Sequence, residues 1–557
     1  MNLTAVRAAI LMMFATISPA LATPAIISNA HGYTLQNGQL KQFDSMAFDG
    51  GKVLAIGTHA ALAARFPDAQ SINAGGNTLL PGLIDAHGHV TALGEYGTRV
   101  GLFDAKNLRE AQARIKAFAA ANPGRAWIQG GGWNQVTWKL GRFPTAAELD
   151  AVVADRPAAL ARVDGHALWL NSRALSAAGI DKNSKDPQGG RIERDAAGNP
   201  TGVLLDNAMA QLDAVIPPPS DTERRANLSA ALANLNSVGL TSVGDAGVTA
   251  AEVALYREFA ESGLLSVRIY AMILDTGDDF KALSKNGPLI GYGNDRLTVR
   301  SVKLIADGAL GSRGAAMLQP YSDQPNQYGL LRMSAAEIDE KIRSALASGY
   351  QVNVHAIGDA ANRQVLNGFE AAYKTVSGGR QLRNRIEHAQ IVALSDIPRF
   401  KQLDLIASMQ PTHATSDMNM AEDRIGAQRL QGAYAWRTFL AQGTLIAGGS
   451  DFPVESDNPF FGLYSAVTRT DHAGNPKGGW HSEQAMTLLE AFRAFTLDAA
   501  YAQHQEKTLG SLEPGKWADF ILIDRDLFKV PAGDIWKIKV KQTWVAGTQT
   551  FDAAAVR

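Results

Sequence analysis

Eight short apolar segments, many of them separated by helical patterns, constrain the fold of this chain more than any other feature. They occupy 79–89, 241–245, 267–274, 297–305, 351–355, 385–388, 405–410 and 444–451. Their lengths and their Val, Ile and Leu content suit buried strands. Helical patterns at 335–348, 360–376 and 397–402 lie between the later ones. Eight strands alternating with helices predict an α/β fold, a (β/α)8 TIM-type barrel. Reactive groups in such a barrel gather at the C-terminal strand ends.

Those ends carry ligand chemistry. The first segment closes on His87 and His89, and residues i and i+2 of a strand share a face. The fifth ends in His355, the sixth in His388 and the eighth in Asp451. Imidazoles suit zinc and related divalent ions, and a carboxylate completes such a site. A single buried histidine is usually a packed core residue. Several at the same rim of one barrel predict a metal centre of one or two Zn2+. Lys303 sits near the end of the fourth segment. An ammonium repels a metal, so two readings stand: a plain lysine, or a carbamate formed with CO2 that would act as an anionic ligand.

The rest of the 557 residues divides around this barrel. Residues 1–22 hold Arg7, a short apolar run and a small-residue end, the pattern of a secretory signal. The run falls short of the roughly 20 residues a membrane span needs. Export to the periplasm or medium is expected, with no stable membrane anchor after cleavage. Strand and hairpin patterns at 23–78 and 505–557 predict one small β-sandwich built from both chain ends, with Asn37-Gly38 and Asp49-Gly50-Gly51 as turns. The barrel then spans 79–504. The gap of about 150 residues after its first strand is too long for a loop. An inserted subdomain at 95–237 is expected to shape the substrate pocket. A net charge of −1 gives no footprint for nucleic acid. The chain has no cysteine, which excludes thiolate nucleophiles and thiolate zinc sites. The expected partner is a small-molecule substrate; a homodimer is compatible with the sequence.

Further motifs accompany these segments. They include Pro81 to His89, Asp164-Gly165-His166, Asp307-Gly308, Gly311-Ser312-Arg313, His355 to Asp359, Glu387-His388, Gly449 to Pro453 and Gly510 to Asp519. Together they resemble the amidohydrolase superfamily, and within it family 3, the YtcJ-like branch that includes N-substituted formamide deformylases. The resemblance spans essentially the whole chain after the signal. It implies a metal-dependent hydrolase with metal ligands His87, His89, Lys303, His355, His388 and Asp451, and it favours the carbamate at Lys303. Where relatives often carry Glu after a Thr-Gly-Val-Leu run, this chain has Asp206. That residue, His166, His413, Arg313 and Trp133 are the expected substrate contacts; for Trp133 and Trp138 two readings stand, an aromatic pocket wall or core packing.

A divalent ion lowers the pKa of bound water from ~16 toward ~7. Asp451 is placed to take the proton of the attacking water and pass it to a leaving amine. Hydrolysis of an amide-type C–N bond, N-formyl or N-acyl, is therefore expected. Deamination or ester and lactone hydrolysis on the same fold stay open, as does an exported metal-binding protein without catalysis.

Overall fold

The apolar run leading to His87 is two strands, not one. Pro81-Gly82 interrupts it, and Gly82 N donates to Asp519 O at 2.9 Å. Thr78–Pro81 joins a sheet made from both chain ends, while Leu83–Gly88 opens the barrel. Proline removes a ladder donor, so the sheet to which the chain belongs changes there. The computed structural model describes residues 24–555; the expected signal at 1–22 lies outside the described residues.

The barrel strands are β1 (Leu83–Gly88), β2 (Leu240–Val248), β3 (Arg268–Leu274), β4 (Leu297–Ile305), β5 (Gln351–Ala356), β6 (Arg385–His388), β7 (Ile406–Met409) and β8 (Ile446–Gly448). They pair in sequence order, each parallel to the next. This is the expected TIM-type barrel. Register sets the rim: His355 on β5 lies opposite Glu387 on β6, and Glu387 opposite Ser408 on β7.

The seam between β8 and β1 is closed by a side chain. The buried Asp85 carboxylate accepts from Ser450 N at 3.0 Å, Ser450 Oγ at 2.6 Å and His87 N at 3.0 Å. Asp451 N donates to His87 O at 2.7 Å, and His89 N to Phe452 O at 2.8 Å. A Cβ on Gly449 would meet Asp85 Oδ1 at 2.7 Å and His87 N at 2.8 Å. Only glycine lets the two strand ends approach this closely.

A four-stranded and a six-stranded sheet share a core of Ile27, Met46, Phe48, Leu79, Phe520 and Leu522. Strands from both termini are neighbours in the larger sheet, where Phe520–Ile523 pairs with Thr78–Pro81. Asn37 and Gly38 both take positive φ in the hairpin joining His31–Gln36 to Gln39–Phe43. That is the conformation an Asn-Gly hairpin turn requires. Between β1 and β2 the chain builds a second six-stranded sheet with its own core around Trp133, Trp169 and Leu160. Helix Asp221–Ser237, which follows it, buries Leu228, Leu232 and Leu235 in the barrel's core instead. Among the described residues no helix is long and apolar enough to cross a membrane.

One buried ion pair ties barrel to sandwich. Arg268, which opens β3, donates through Nε to Asp519 Oδ2 at 2.6 Å and through Nη2 to Oδ1 at 3.0 Å. Asp519→Ala is expected to lower unfolding free energy by ~3–5 kcal/mol, since it strands a buried guanidinium. Urea denaturation measures this, and a loss below ~1 kcal/mol would show that the pair does not couple the domains.

Candidate active site

His87 on β1 and His89 just past its end both turn to the eighth strand end. His89 Nε2 lies 3.0 Å and His87 Nε2 3.5 Å from Asp451 Oδ1. On the other side of the carboxylate, His413 Nε2 stands 3.6 Å from Oδ2. Two groups of donor atoms therefore converge, His87 with His89 and Asp451, and His388 with His413 and Asp451. Asp451 belongs to both and could bridge two ions. Lys303 Nζ, from β4, lies 3.0 Å from His87 Nε2. The backbone bends to make this arrangement: His388 has φ 72° and Asp451 φ 62°. Left-handed conformations at residues other than glycine cost ~1–3 kcal/mol and concentrate at functional sites.

A layer of buried groups orients these side chains. His87 Nδ1 donates to Glu387 Oε2 at 2.5 Å, and Arg385 Nε stands 2.8 Å from Glu387 Oε1. This leaves His87 Nε2 as the acceptor facing the site, the carboxylate–histidine arrangement of metal centres. His388 Nδ1 donates to Gln410 Oε1 at 2.8 Å. His413 Nδ1 accepts from Gln390 Nε2 at 2.9 Å, so its hydrogen sits on Nε2. Burial, aided by the Lys303 charge, lowers His87 to about 4. Burial also holds His355 and His388 well below the ordinary histidine value. Burial alone would raise Asp451, but the His89 hydrogen bond, with the neighbouring imidazoles, holds it well below the usual carboxylate range. Neutral imidazoles beside an ionised carboxylate are the donor set a divalent cation requires.

The sequence-expected residues divide. His355 stays outside both donor groups; its Nε2 is 3.4 Å from Asp307 Oδ1 and its ring meets His388 edge-on at 4.5 Å. His166, Arg313 and His413 line a cavity of about 1600 Å³ above the strand ends, along with His89, Lys303 and Asp451. Trp133 does not. It is fully buried, donates Nε1 to Leu160 O at 2.7 Å and packs on Trp169. Trp138 likewise donates to Ala105 O at 2.8 Å within the insertion's core. The aromatic-wall reading is corrected to core packing, because each indole N–H finds its partner inside the insertion. Asp206 is buried off the cavity wall and accepts from His166 Nδ1 at 2.7 Å. It therefore orients His166 rather than touching substrate. Sequence reasoning missed Glu387, Asp85 and Gln390 as site residues. Glu387 had a signal: a carboxylate within a four-residue buried strand needs a charged partner, and Arg385 shares its face.

Imidazoles and a carboxylate gathered at the C-terminal rim of a (β/α)8 barrel, beneath a deep cavity, define a metal-dependent hydrolase. The chain belongs to the Amidohydrolase family, whose model matches residues 70–551. It is 32% identical to Protein LONG AFTER FAR-RED 3 of Arabidopsis thaliana, over 94% of this chain and 91% of that protein. It is 28% identical to N-substituted formamide deformylase of Arthrobacter pascens, over 90% of this chain and 94% of that protein. An uncharacterized metal-dependent hydrolase from Pyrococcus horikoshii superposes with a TM-score of 0.73 at 27% identity, covering 92% of this chain and 99% of that one.

Glu387→Gln is expected to lower metal affinity ~10–100-fold, because the amide no longer holds His87 Nε2 as the inward acceptor. Metal titration with elemental analysis checks this, and unchanged affinity would exclude Glu387 from the site.

Proposed function

We propose that this protein hydrolyses an amide-type C–N bond of a small molecule, N-formyl or N-acyl, with Asp451 carrying the proton. The convergence of His87, His89, His388 and His413 on the two oxygens of Asp451 carries the reading. The name of the Arthrobacter relative, a formamide deformylase, agrees with it. His87, His89 and His388 with Asp451 would hold the divalent ions, while His413, whose Nε2 carries its hydrogen, stays free of them. When bound, such ions, zinc by the donor chemistry, supply a water of lowered pKa and polarise the substrate carbonyl.

The protein's own groups complete the reaction. Asp451 is ionised and so accepts a proton from the attacking water as a C–O bond forms at the carbonyl carbon. The carbonyl π-electrons move to oxygen, where the Nε2–H of His413 is placed to donate. As the C–N bond breaks, Asp451 returns the proton to the leaving nitrogen, releasing an amine and a carboxylic acid.

Lys303 is proposed to add CO2 at Nζ, losing a proton and becoming an anionic ligand. Burial lowers its amine to about 8, which raises the fraction of reactive neutral amine. The signal pattern at 1–22 supports an exported, periplasmic or secreted, enzyme.

Asp451→Asn is expected to lower kcat ~10²–10⁴-fold with circular dichroism unchanged. Full activity against N-formyl and N-acyl amides would sink the assignment. Mass spectrometry of bicarbonate-equilibrated protein should find one added CO2 on Lys303, lost on acidification. Its occupancy should rise as pH rises toward about 8, because the neutral amine is the form that reacts. No added mass at any pH would exclude the carbamate.

A further inference from the structure

Seven arginines line the cavity. Six are paired with acids of the protein: Arg142 with Glu148, Arg162 with Asp164, Arg191 with Glu193, Arg194 with Asp186, and Arg313 and Arg424 with Asp323. The seventh, Arg332, has no carboxylate within ion-pair distance among the described residues. Asp206 and Asp307 favour its charge through space, but neither comes within ion-pair distance. Asp206 gives Oδ1 to His166, and Asp307 accepts from the backbone N–H groups of Ile357, Gly358 and Ala316.

Arg332 is held firmly despite lacking a counter-ion. Its backbone N donates to Ala306 O at 2.8 Å, one residue past β4, and its Nε to Asn207 Oδ1 at 2.6 Å. The guanidinium therefore spans the joint between insertion and barrel, and among the described residues no protein acceptor takes either Nη. Its charge reaches both Lys303 and His166, opposing protonation of each. Burial costs this cation, lowering it from the ordinary arginine value. A charge that is desolvated, positioned and unpaired is expensive unless an anion arrives from outside.

We propose that the substrate carries a carboxylate near its scissile amide, as an N-acyl or N-formyl amino acid does, and that Arg332 binds it. The inference rests on the amide-hydrolase reading above and names the substrate class. The two free Nη groups present a planar fork that fits a carboxylate. A phosphate monoester, with about −1.5 to −2 charges, would need a second free cation. Apart from Lys303 at the strand ends, the remaining lining cation is Lys139, which is exposed.

The test pairs ligands that differ only in the carboxylate. N-acetyl and N-formyl derivatives of L- and D-amino acids are compared with the same amides of the decarboxylated amines. Binding to metal-loaded protein is read by calorimetry and hydrolysis by amine release. At least one acid should bind ~10-fold or more tightly than its neutral twin, matching the worth of a charge-assisted hydrogen bond of about 1.5–3 kcal/mol. Arg332→Gln should bring that acid down to the level of the twin, and Arg332→Lys should restore part of the difference. No acid binding better than its twin, or a preference surviving in Arg332→Gln, overturns the inference. Preferential binding that depends on Arg332 without amine release would keep Arg332 as a carboxylate site but overturn the scissile amide and with it the amide-hydrolase reading. Hydrolysis of acids and twins at equal rates would do the reverse.

Discussion

The arrangement depends on a carboxylate buried at the barrel seam. Asp85 ties β1 to the end of β8 through Ser450, and in the same contact holds the backbone of His87. Its burial is costly enough to push its pKa up to about 7. The hydrogen bonds it accepts offset that cost, and the glycine at 449 makes them reachable. Closing the barrel and bringing His87, His89 and Asp451 together are thus one event. A looser seam would separate the ligands.

From that seam the site is stiffened inward. Arg385, Glu387 and His87 form a buried chain that ends at Lys303. Every member is at least 97% removed from solvent, so none can relax by moving to water. His388 and Asp451 take left-handed backbone conformations within this frame. Packing over-determines both positions, which is how local strain persists. The insertion completes the upper half: it brings His166, set by Asp206, and the Arg162–Asp164 pair to the cavity wall. The cavity is large, about 1600 Å³, and most of its arginine charge is neutralised by the protein itself.

Much of the barrel was legible because its parallel strands are buried on both faces and read as continuous apolar runs. Each of the eight segments overlaps a barrel strand, and the hairpin turns at Asn37-Gly38 and Gly50-Gly51 declare themselves by composition. The break at Pro81-Gly82 was harder, since both halves of that run are apolar and differ only in which sheet receives them. Trp133 and Trp138 stayed open for a related reason. An aromatic stretch looks the same whether it walls a pocket or fills a core, and only the partners of the indole N–H groups distinguish the two.

The sequence by itself determined the fold class, the family and the rim on which the ligand-type residues lie, because strand periodicity and strand ends are local properties. The tertiary structure alone decided which atoms meet. It grouped His413 with His388 and Asp451 while leaving His355 outside both donor groups, turned Asp206 onto His166, and placed Glu387 behind His87. It also left Arg332 unmatched among paired arginines. Those outcomes depend on side-chain directions and distances between segments hundreds of residues apart, which no local pattern encodes.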